Sequence, residues 1–237
     1  MRIFKLLLFG LKLLIRKKEV VFWNIVFPPM LLIIVGIFTM KSNLMDGKYM
    51  EFFTPGLVGY SIMQGSLTGA PSRVVQYSQN GVLSRIFLTP CSISGFIMLE
   101  FAATSLIICF QVAVLTILST FIFDINVKSF VFFICGTILG LIFFQLLGMI
   151  IANLCRTTEG VDAFANCISF PMLIFSGVFF PATILPAGEK VSYFLPLTQV
   201  LNLMRGNPRG NSSIIIMLIW IVISIIGVAF TIRIQRK

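Results

Sequence analysis

Uncharged apolar stretches dominate the pattern of hydrophobic and polar positions along this chain. Six stretches contain no Asp, Glu, Lys or Arg. A helix rises about 1.5 Å per residue, so roughly 20 residues cross a hydrocarbon core of about 30 Å. Because lipid offers the backbone no hydrogen-bond partners, these stretches are expected to be helices. The pattern predicts an all-α polytopic membrane protein, a single domain over residues 1–237, with six transmembrane helices at residues 20–40, 52–72, 96–123, 129–152, 161–180 and 212–232.

The segment before the first span predicts a helix that lies on the membrane surface. Within residues 1–19, basic side chains recur one or two helical turns apart, with leucine and phenylalanine between them. This spacing is typical of an amphipathic interfacial helix on the inner leaflet. A frayed and partly disordered tail is the alternative.

Two of the connecting segments also have a distinctive composition. The loop at residues 73–95 contains a short mixed stretch, residues 82–88, which we expect to form a helix parallel to the inner membrane surface. Residues 181–211 begin with three prolines in 16 residues yet remain largely apolar. Prolines interrupt a regular helix, and lipid does not accept the freed backbone groups. We therefore predict a re-entrant or capping element on the outer side, buried against protein, between spans five and six.

Charge supports a membrane location and orients the chain. The mean hydropathy is +1.03 and 58% of the residues are hydrophobic, which excludes a water-soluble domain. The net charge of +10 could suggest nucleic acid, but the basic residues lie between apolar spans. With the N-terminus inside, the inner segments carry 12 Lys and Arg against 6 outside. Short cytoplasmic loops carry this excess, so both termini are predicted to be cytoplasmic and nucleic acid is not expected as a partner.

The second span is unusually polar for a membrane helix. Four glycines alternate in it with Thr, Ser and Gln side chains, and Gly65 and Gly69 have the small-xxx-small spacing that lets helices approach closely. We expect this span to face other helices or a wet cavity. Gly136 and Gly140 in the fourth span have the same spacing and are predicted to serve packing.

Two further features interrupt otherwise apolar spans. Pro28 and Pro29 lie near the middle of the first span and predict a kink. Glu100 lies about two turns into the third span, where a carboxylate is costly and points to function. The alternative is that Glu100 reaches interfacial water or pairs with Arg85.

Several residue types and motifs that enzymes commonly use are absent from the sequence, and this limits the functions to consider. The chain has no histidine, its eight acids are scattered, and it lacks a G-x-x-x-x-G-K-[ST] loop. Its five cysteines show no pairing or metal spacing and are expected to be reduced thiols. No catalytic, metal-binding or cofactor-binding residues are predicted. A membrane-embedded enzyme is therefore disfavoured, and any pumping must be powered by another polypeptide.

Four blocks in order resemble the type-2 ABC permease family, the membrane subunits of ABC exporters. These blocks are F-T-P-G at residues 53–56, G-V-L-S-R-I-F-L-T-P at 81–90, Pro171 with F-S-G-V-F-F-P at 175–181, and L-P at 185–186 with L-P-L-T at 195–198 and Arg205. The resemblance implies a cytoplasmic coupling helix between spans two and three and an outer re-entrant helical hairpin between spans five and six. It also implies two facing permease copies and a separate ATP-hydrolysing subunit. One departure is the S-Q-N at residues 78–80, where the family usually has Arg-Glu.

The resemblance implies an exporter permease, and three groups of residues are assigned from it and from the polar pattern. Coupling to the ATPase is assigned to Gln79, Gly81, Leu83, Arg85, Thr89 and Pro90. The substrate pathway is assigned to Ser61, Gln64, Thr68, Asn166, Ser169 and Phe170, for which interhelical packing is the alternative. The outer gate is assigned to Ser176, Gly177, Pro181, Pro186 and Pro196.

The phenylalanine-rich interior, with 25 Phe in the chain, favours an amphipathic or lipophilic drug, peptide or lipid as cargo. A polysaccharide or ion exporter of the same family, or a non-transporting immunity or sensory protein, is the alternative. The expected location is a prokaryotic plasma membrane, and the expected partners are an ABC ATPase, a second permease copy and the lipid bilayer.

Overall fold

The computed structural model describes residue 22 and residues 26–42, 48–86, 92–123, 130–179, 188–206 and 210–235. Within these ranges every regular element is helical. The predicted interfacial helix at residues 1–19 lies outside the described residues, as do Thr89, Pro90, Pro181 and Pro186.

Ten α-helices and one π-helical segment are named here in chain order. They are α1 (Phe27–Ser42), α2 (Lys48–Gln64), the π segment (Gly65–Gly69), α3 (Ala70–Gln79), α4 (Val82–Ile86), α5 (Ile93–Phe123), α6 (Phe130–Leu154), α7 (Thr158–Phe175), α8 (Gly188–Phe194), α9 (Pro196–Met204) and α10 (Gly210–Gln235).

Among the described residues, three helices are long and apolar enough to cross a membrane. They are α5, α6 and the Ser212–Arg233 part of α10, which coincide with the predicted third, fourth and sixth spans. Helix α1 is apolar but shorter, over Phe27–Thr39. By length and composition these three helices can span a membrane, whereas the complete six-span topology stays a prediction.

The second span is longer than predicted and changes its geometry midway. Helices α2 and α3 continue into each other through the π segment and reach Gln79, although we predicted a loop from residue 73. Pro71 lies in the first turn of α3 and has no N–H to donate to the Leu67 carbonyl. The wider π turn absorbs this break, and the buried Val74 and Val75 continue the helix beyond it.

The structure also bears on the start of the first predicted span and the end of the fifth. The α-helical geometry of α1 begins at Phe27, directly after the π-helical Val26, and residues 23–25 lie outside the described residues. The kink predicted at Pro28 and Pro29 therefore stays a prediction. Helix α7 ends at Phe175 rather than residue 180, because Gly177 takes a positive φ of 71°.

Helix α6 lies at the centre of the packing and uses glycines to bring its neighbours close. A Cβ atom at Gly136 or Gly140 would lie 3.1–3.2 Å from Val200 of α9. One at Gly148 would overlap the carbonyl oxygen of Ser66 in the π segment. The predicted packing role of Gly136 and Gly140 is confirmed.

Helix α9 is the most enclosed element of the described chain. All of its residues except Asn202 are buried, and it packs against α6, α2 and α10. The expectation that the apolar, proline-interrupted segment is buried against protein holds for this helix. Its position on the outer side of a membrane stays a prediction.

The close approach at Gly148 predicts that Gly148→Ala destabilises the protein by about 1–3 kcal/mol, because the obstructing atom is backbone and cannot move aside. Gly227→Ala is the matched control, since its Cβ would meet only the flexible tip of Ile150, at 2.8 Å. Thermal unfolding of the purified variants measures the difference. Equal melting temperatures for Gly148→Ala and the wild type would contradict the packing role.

Candidate functional site

A buried ion pair joins α3 to α5. The guanidinium Nε of Arg73 donates to Oε2 of Glu100 at 2.9 Å, and the two side chains are only 9% and 6% exposed. The expectation that Glu100 pairs with Arg85 or reaches water is wrong. Arg73 is part of a helix that continues beyond residue 72, which places its charge inside the protein, whereas Arg85 is exposed.

Neighbouring polar groups complete this ion pair. Arg73 also donates from Nη2 to Thr104, which in turn donates to the backbone carbonyl of Glu100 at 2.8 Å. The Tyr77 hydroxyl donates to Oε1 of Glu100 at 3.3 Å, and the Tyr77 ring packs edge-on against Phe96. A buried charge pair is tolerated when its remaining hydrogen-bonding positions are filled in this way. The cluster therefore fixes α3 against α5.

The predicted coupling residues lie beyond this cluster, at the end of α3. Asn80 closes the helix, its N–H donating to Gln76 O at 3.0 Å, and Gly81 follows with φ of 66°. This left-handed conformation is costly for residues with a Cβ, which explains a glycine between the two helices. Helix α4 starts directly after it.

The turn leaves part of this segment accessible. Gln79 and Arg85 are exposed, and Leu83 is half-buried on α4. A Cβ at Gly81 would meet no atom within 4 Å, so the glycine is required by its backbone conformation and not by lack of space. Helix α4 is thus a short, partly accessible helix that follows α3, and α3 itself is fixed to α5 by the ion pair.

A polar cavity of about 330 Å³ opens between α1, α2 with its π segment, and α5. Three of the predicted pathway residues line it, Ser61, Gln64 and Thr68. The other described residues that line it are Phe27, Pro28, Tyr60, Gly65 and Gln111. The expectation of a wet cavity beside the second span agrees with this arrangement.

The remaining pathway candidates are on α7 and do not line this cavity. Asn166 and Phe170 are exposed, while Ser169 is buried and donates to the Asn166 carbonyl at 3.4 Å. The structure therefore places the six candidates in two separate groups.

Gln111 of α5 was not singled out from the sequence. Its side chain is 2% exposed, lines the cavity, and its Oε1 has no hydrogen-bond partner among the described residues. The available signal was an amide side chain in an otherwise apolar span, but only the tertiary structure shows which groups it meets.

Arg205 forms a second junction that the sequence did not assign to a role. From the end of α9, its Nη2 donates to the carbonyls of Phe52 at 3.1 Å and Gly177 at 2.9 Å. The guanidinium carbon also lies 3.6 Å from the centre of the Phe52 ring. Burial lowers the pKa of Arg205 to about 10, so the side chain remains charged at neutral pH.

This junction brings together three of the sequence blocks. A Cβ at Gly56 would overlap the carbonyl oxygen of Val178, so the F-T-P-G block touches the S-G-V-F-F-P block directly. Ser176, beside Gly177, is buried and donates to Met172 O. Pro196 begins α9, the helix that ends with Arg205. The outer-gate candidates Ser176 and Gly177 are thus in one assembly with α9.

The described residues contain no group of three His, Cys, Asp or Glu side chains that could hold a metal ion. Cys109, Cys135, Cys155 and Cys167 are free thiols. The ion pair, the cavity and the Arg205 junction offer hydrogen-bonding groups and packing surfaces.

Comparison with protein families gives a match to the ABC-2 type transporter over residues 2–208. A comparison with curated proteins finds no significant match. The family match includes the ion pair, the Gly81 turn, the cavity and the Arg205 junction.

The ion pair predicts that Arg73→Met costs about 3–5 kcal/mol of stability, because it leaves the Glu100 carboxylate buried without a counter-charge. Arg85→Met, at an exposed arginine, should change stability by less than about 0.5 kcal/mol. The double variant Arg73→Met, Glu100→Met should recover most of the loss, since an apolar pair replaces a charged one. Chemical denaturation of the detergent-solubilised protein compares the three. No difference between the two arginine variants would contradict the structural role of the pair.

Proposed function

The chain belongs to the ABC-2 type transporter family, and from this membership and the geometry we propose that it is the permease subunit of an ABC exporter. Members of this family are membrane transport components that generally work with a separate ABC ATPase subunit. In our proposal the chain moves an amphipathic or lipophilic substrate outward, and ATP is bound and hydrolysed only by the partner. The observation that carries the proposal is the family match over most of the chain.

The coupling element of the proposal is α4 with its flanking turn. A partner that grips Gln79, Leu83 and Arg85 would push on a short helix held by the Gly81 turn. Thr89 and Pro90 extend this surface in the proposal. The Arg73–Glu100 pair supports the assignment, because it fixes α3 to α5 and a displacement of α4 would therefore move membrane helices.

The transport path of the proposal includes the polar cavity beside the second span. Ser61, Gln64 and Thr68 would contact cargo there, with Asn166, Ser169 and Phe170 contributing from α7. The aromatic and polar lining suits a molecule with both apolar and polar parts.

The outer gate of the proposal is the Arg205 junction. Opening it requires that Arg205 releases the Phe52 and Gly177 carbonyls, which hold α2 and the turn after α7 against α9. Ser176, Pro181, Pro186 and Pro196 belong to this gate. Alternation between a closed and an open junction, around cargo bound further in, is the movement that alternating access needs.

The proposal places two copies of the chain face to face in a prokaryotic plasma membrane, with both termini cytoplasmic. Exposed isoleucines on α10, Ile219, Ile223 and Ile226, form an apolar surface that suits lipid or a neighbouring helix. Polysaccharide and ion exporters of the same family would need a larger or more charged path than the cavity described here.

The proposal predicts that the paired substitution Leu83→Ala, Arg85→Ala abolishes ATP-dependent transport, because it removes the surface that the ATPase must push. The permease is reconstituted with its ATPase into liposomes, and outward movement of a fluorescent NBD-labelled phospholipid is measured with and without ATP. We expect a loss of about tenfold or more, equivalent to at least about 1.4 kcal/mol of coupling.

Arg156→Ala is the matched control, since Arg156 is an exposed arginine at the turn between α6 and α7. Wild-type transport by the paired variant would refute the coupling surface. An ATPase that neither binds the permease nor drives transport would favour a non-transporting immunity or sensory protein.

A further inference from the structure

We infer that the cavity between α1, the π segment and α5 is a binding site for an uncharged ligand group that donates hydrogen bonds, such as a hydroxyl or an amide N–H. The inference rests on the proposed function in that the occupant is then cargo of the exporter. It names the chemical class of the group that the site selects, and it adds Gln111 as a ligand contact.

The two aliphatic hydroxyls of the cavity, those of Ser61 and Thr68, are arranged as acceptors. The Ser61 hydroxyl donates to the Leu57 carbonyl at 2.8 Å, and the Thr68 hydroxyl donates to the Gln64 carbonyl at 2.8 Å. A hydroxyl has one hydrogen and two lone pairs, so both side chains have used their donor and keep acceptor capacity. A ligand that contacts these two hydroxyls is bound more tightly if it donates a hydrogen bond to them.

Gln111 points to the same type of ligand independently. Its Oε1 is buried with no partner among the described residues, and the side chain lines the cavity. A buried acceptor without a donor is unfavourable, so a donor that enters the cavity restores the missing hydrogen bond. Ser61 of α2, Thr68 of the π segment and Gln111 of α5, each with an acceptor oxygen that has no donor assigned to it in the described chain, therefore line one cavity.

The same lining argues against a charged ligand. Among the residues that the structure describes, the lining includes no Asp, Glu, Lys or Arg. In this described part of the lining a phosphate would find no cation, and an ammonium group would lose its hydration without a carboxylate to replace it. The Phe27 and Tyr60 side chains instead offer apolar surface to the part of the ligand next to the donor.

The backbone explains why a space exists here. The π segment winds the chain more widely than an α-helix, and Gly65 at its start contributes no side chain to the lining. Single π turns within α-helices occur frequently at functional sites. A volume of about 330 Å³ is at the lower end for small-molecule pockets, so the site suits a head group or a small amphiphile.

The test measures binding of phenylbutanol, its methyl ether and phenylbutylammonium to the full chain in nanodiscs. Saturation-transfer NMR detects weak binding, and empty nanodiscs correct for partition into lipid. We expect the wild type to bind the alcohol about tenfold more tightly than the ether, since only the alcohol donates a hydrogen bond. The ammonium compound should bind more weakly than the alcohol.

Two variants assign the preference to the cavity. Gln111→Leu should reduce the preference for the alcohol to about twofold or less, while binding of the ether changes little. Thr116→Val removes a polar group from the same helix outside the cavity lining and should retain the full preference.

Equal binding of alcohol and ether by the wild type would overturn the inference, as would tighter binding of the ammonium compound. An alcohol preference that survives Gln111→Leu would overturn the role of Gln111. The measurement needs neither ATP nor the ATPase, so its failure is distinguishable from failure of the exporter proposal. Coupled lipid transport without alcohol selectivity rejects only the inference, and selectivity without transport rejects only the exporter.

Discussion

Polar groups buried within apolar helices must find partners inside the protein, and this constraint explains most of the structure that is specific to this chain. Lipid and tightly packed apolar side chains offer no hydrogen bonds, so an unpaired charge there is costly. Arg73 meets the requirement with Glu100, Thr104 and the hydrogen-bonded Tyr77 nearby. Arg205 meets it in part, with two backbone carbonyls and an aromatic ring, while its Nε has no hydrogen-bond partner among the described residues. Each arginine thereby joins elements that are distant in sequence.

Close helix packing provides the second source of order. Apolar side chains gain little from leaving lipid for one another, so helices in membranes associate through tight contact and small residues. The glycines of α6 follow this rule, with Gly140 close to α9 and Gly148 close to the π segment. Helix α9 can be buried in the described chain because α6 and α2 present glycines to it, as Gly59 does toward Leu201.

The sequence was sufficient for features that depend on composition alone. Uncharged runs located α5, α6 and most of α10, and the small-residue spacing anticipated the contacts of Gly136 and Gly140. The sequence was insufficient where a tertiary contact determines the structural role of a residue. Arg73 was assigned to a loop because a charge normally ends a span, but a partner 27 positions away lets the helix continue.

The candidate site was predictable to the same extent. The density of polar residues in the second span predicted Ser61, Gln64 and Thr68 as pathway residues, and these three side chains line the cavity, whereas their contact with a substrate stays a prediction. Neither Gln111 nor Arg205 could be assigned in this way. The role of each depends on which backbone or side-chain atoms lie opposite, and this follows from how the helices cross.

The continuous helical segment from α2 to α3 is held near both of its ends and is irregular in between. Phe52 near its start is held by Arg205, and Arg73 near its end is held by Glu100, about 30 Å further along at 1.5 Å per residue. Between these points lies the π segment, where the regular α-helical hydrogen-bond ladder is interrupted and Pro71 contributes no donor. The interruption lies in the wall of the cavity, because Gly65 and Thr68 of the π segment line it together with Gln111. The same departure from α-helical geometry therefore accommodates Pro71 and forms part of the polar cavity.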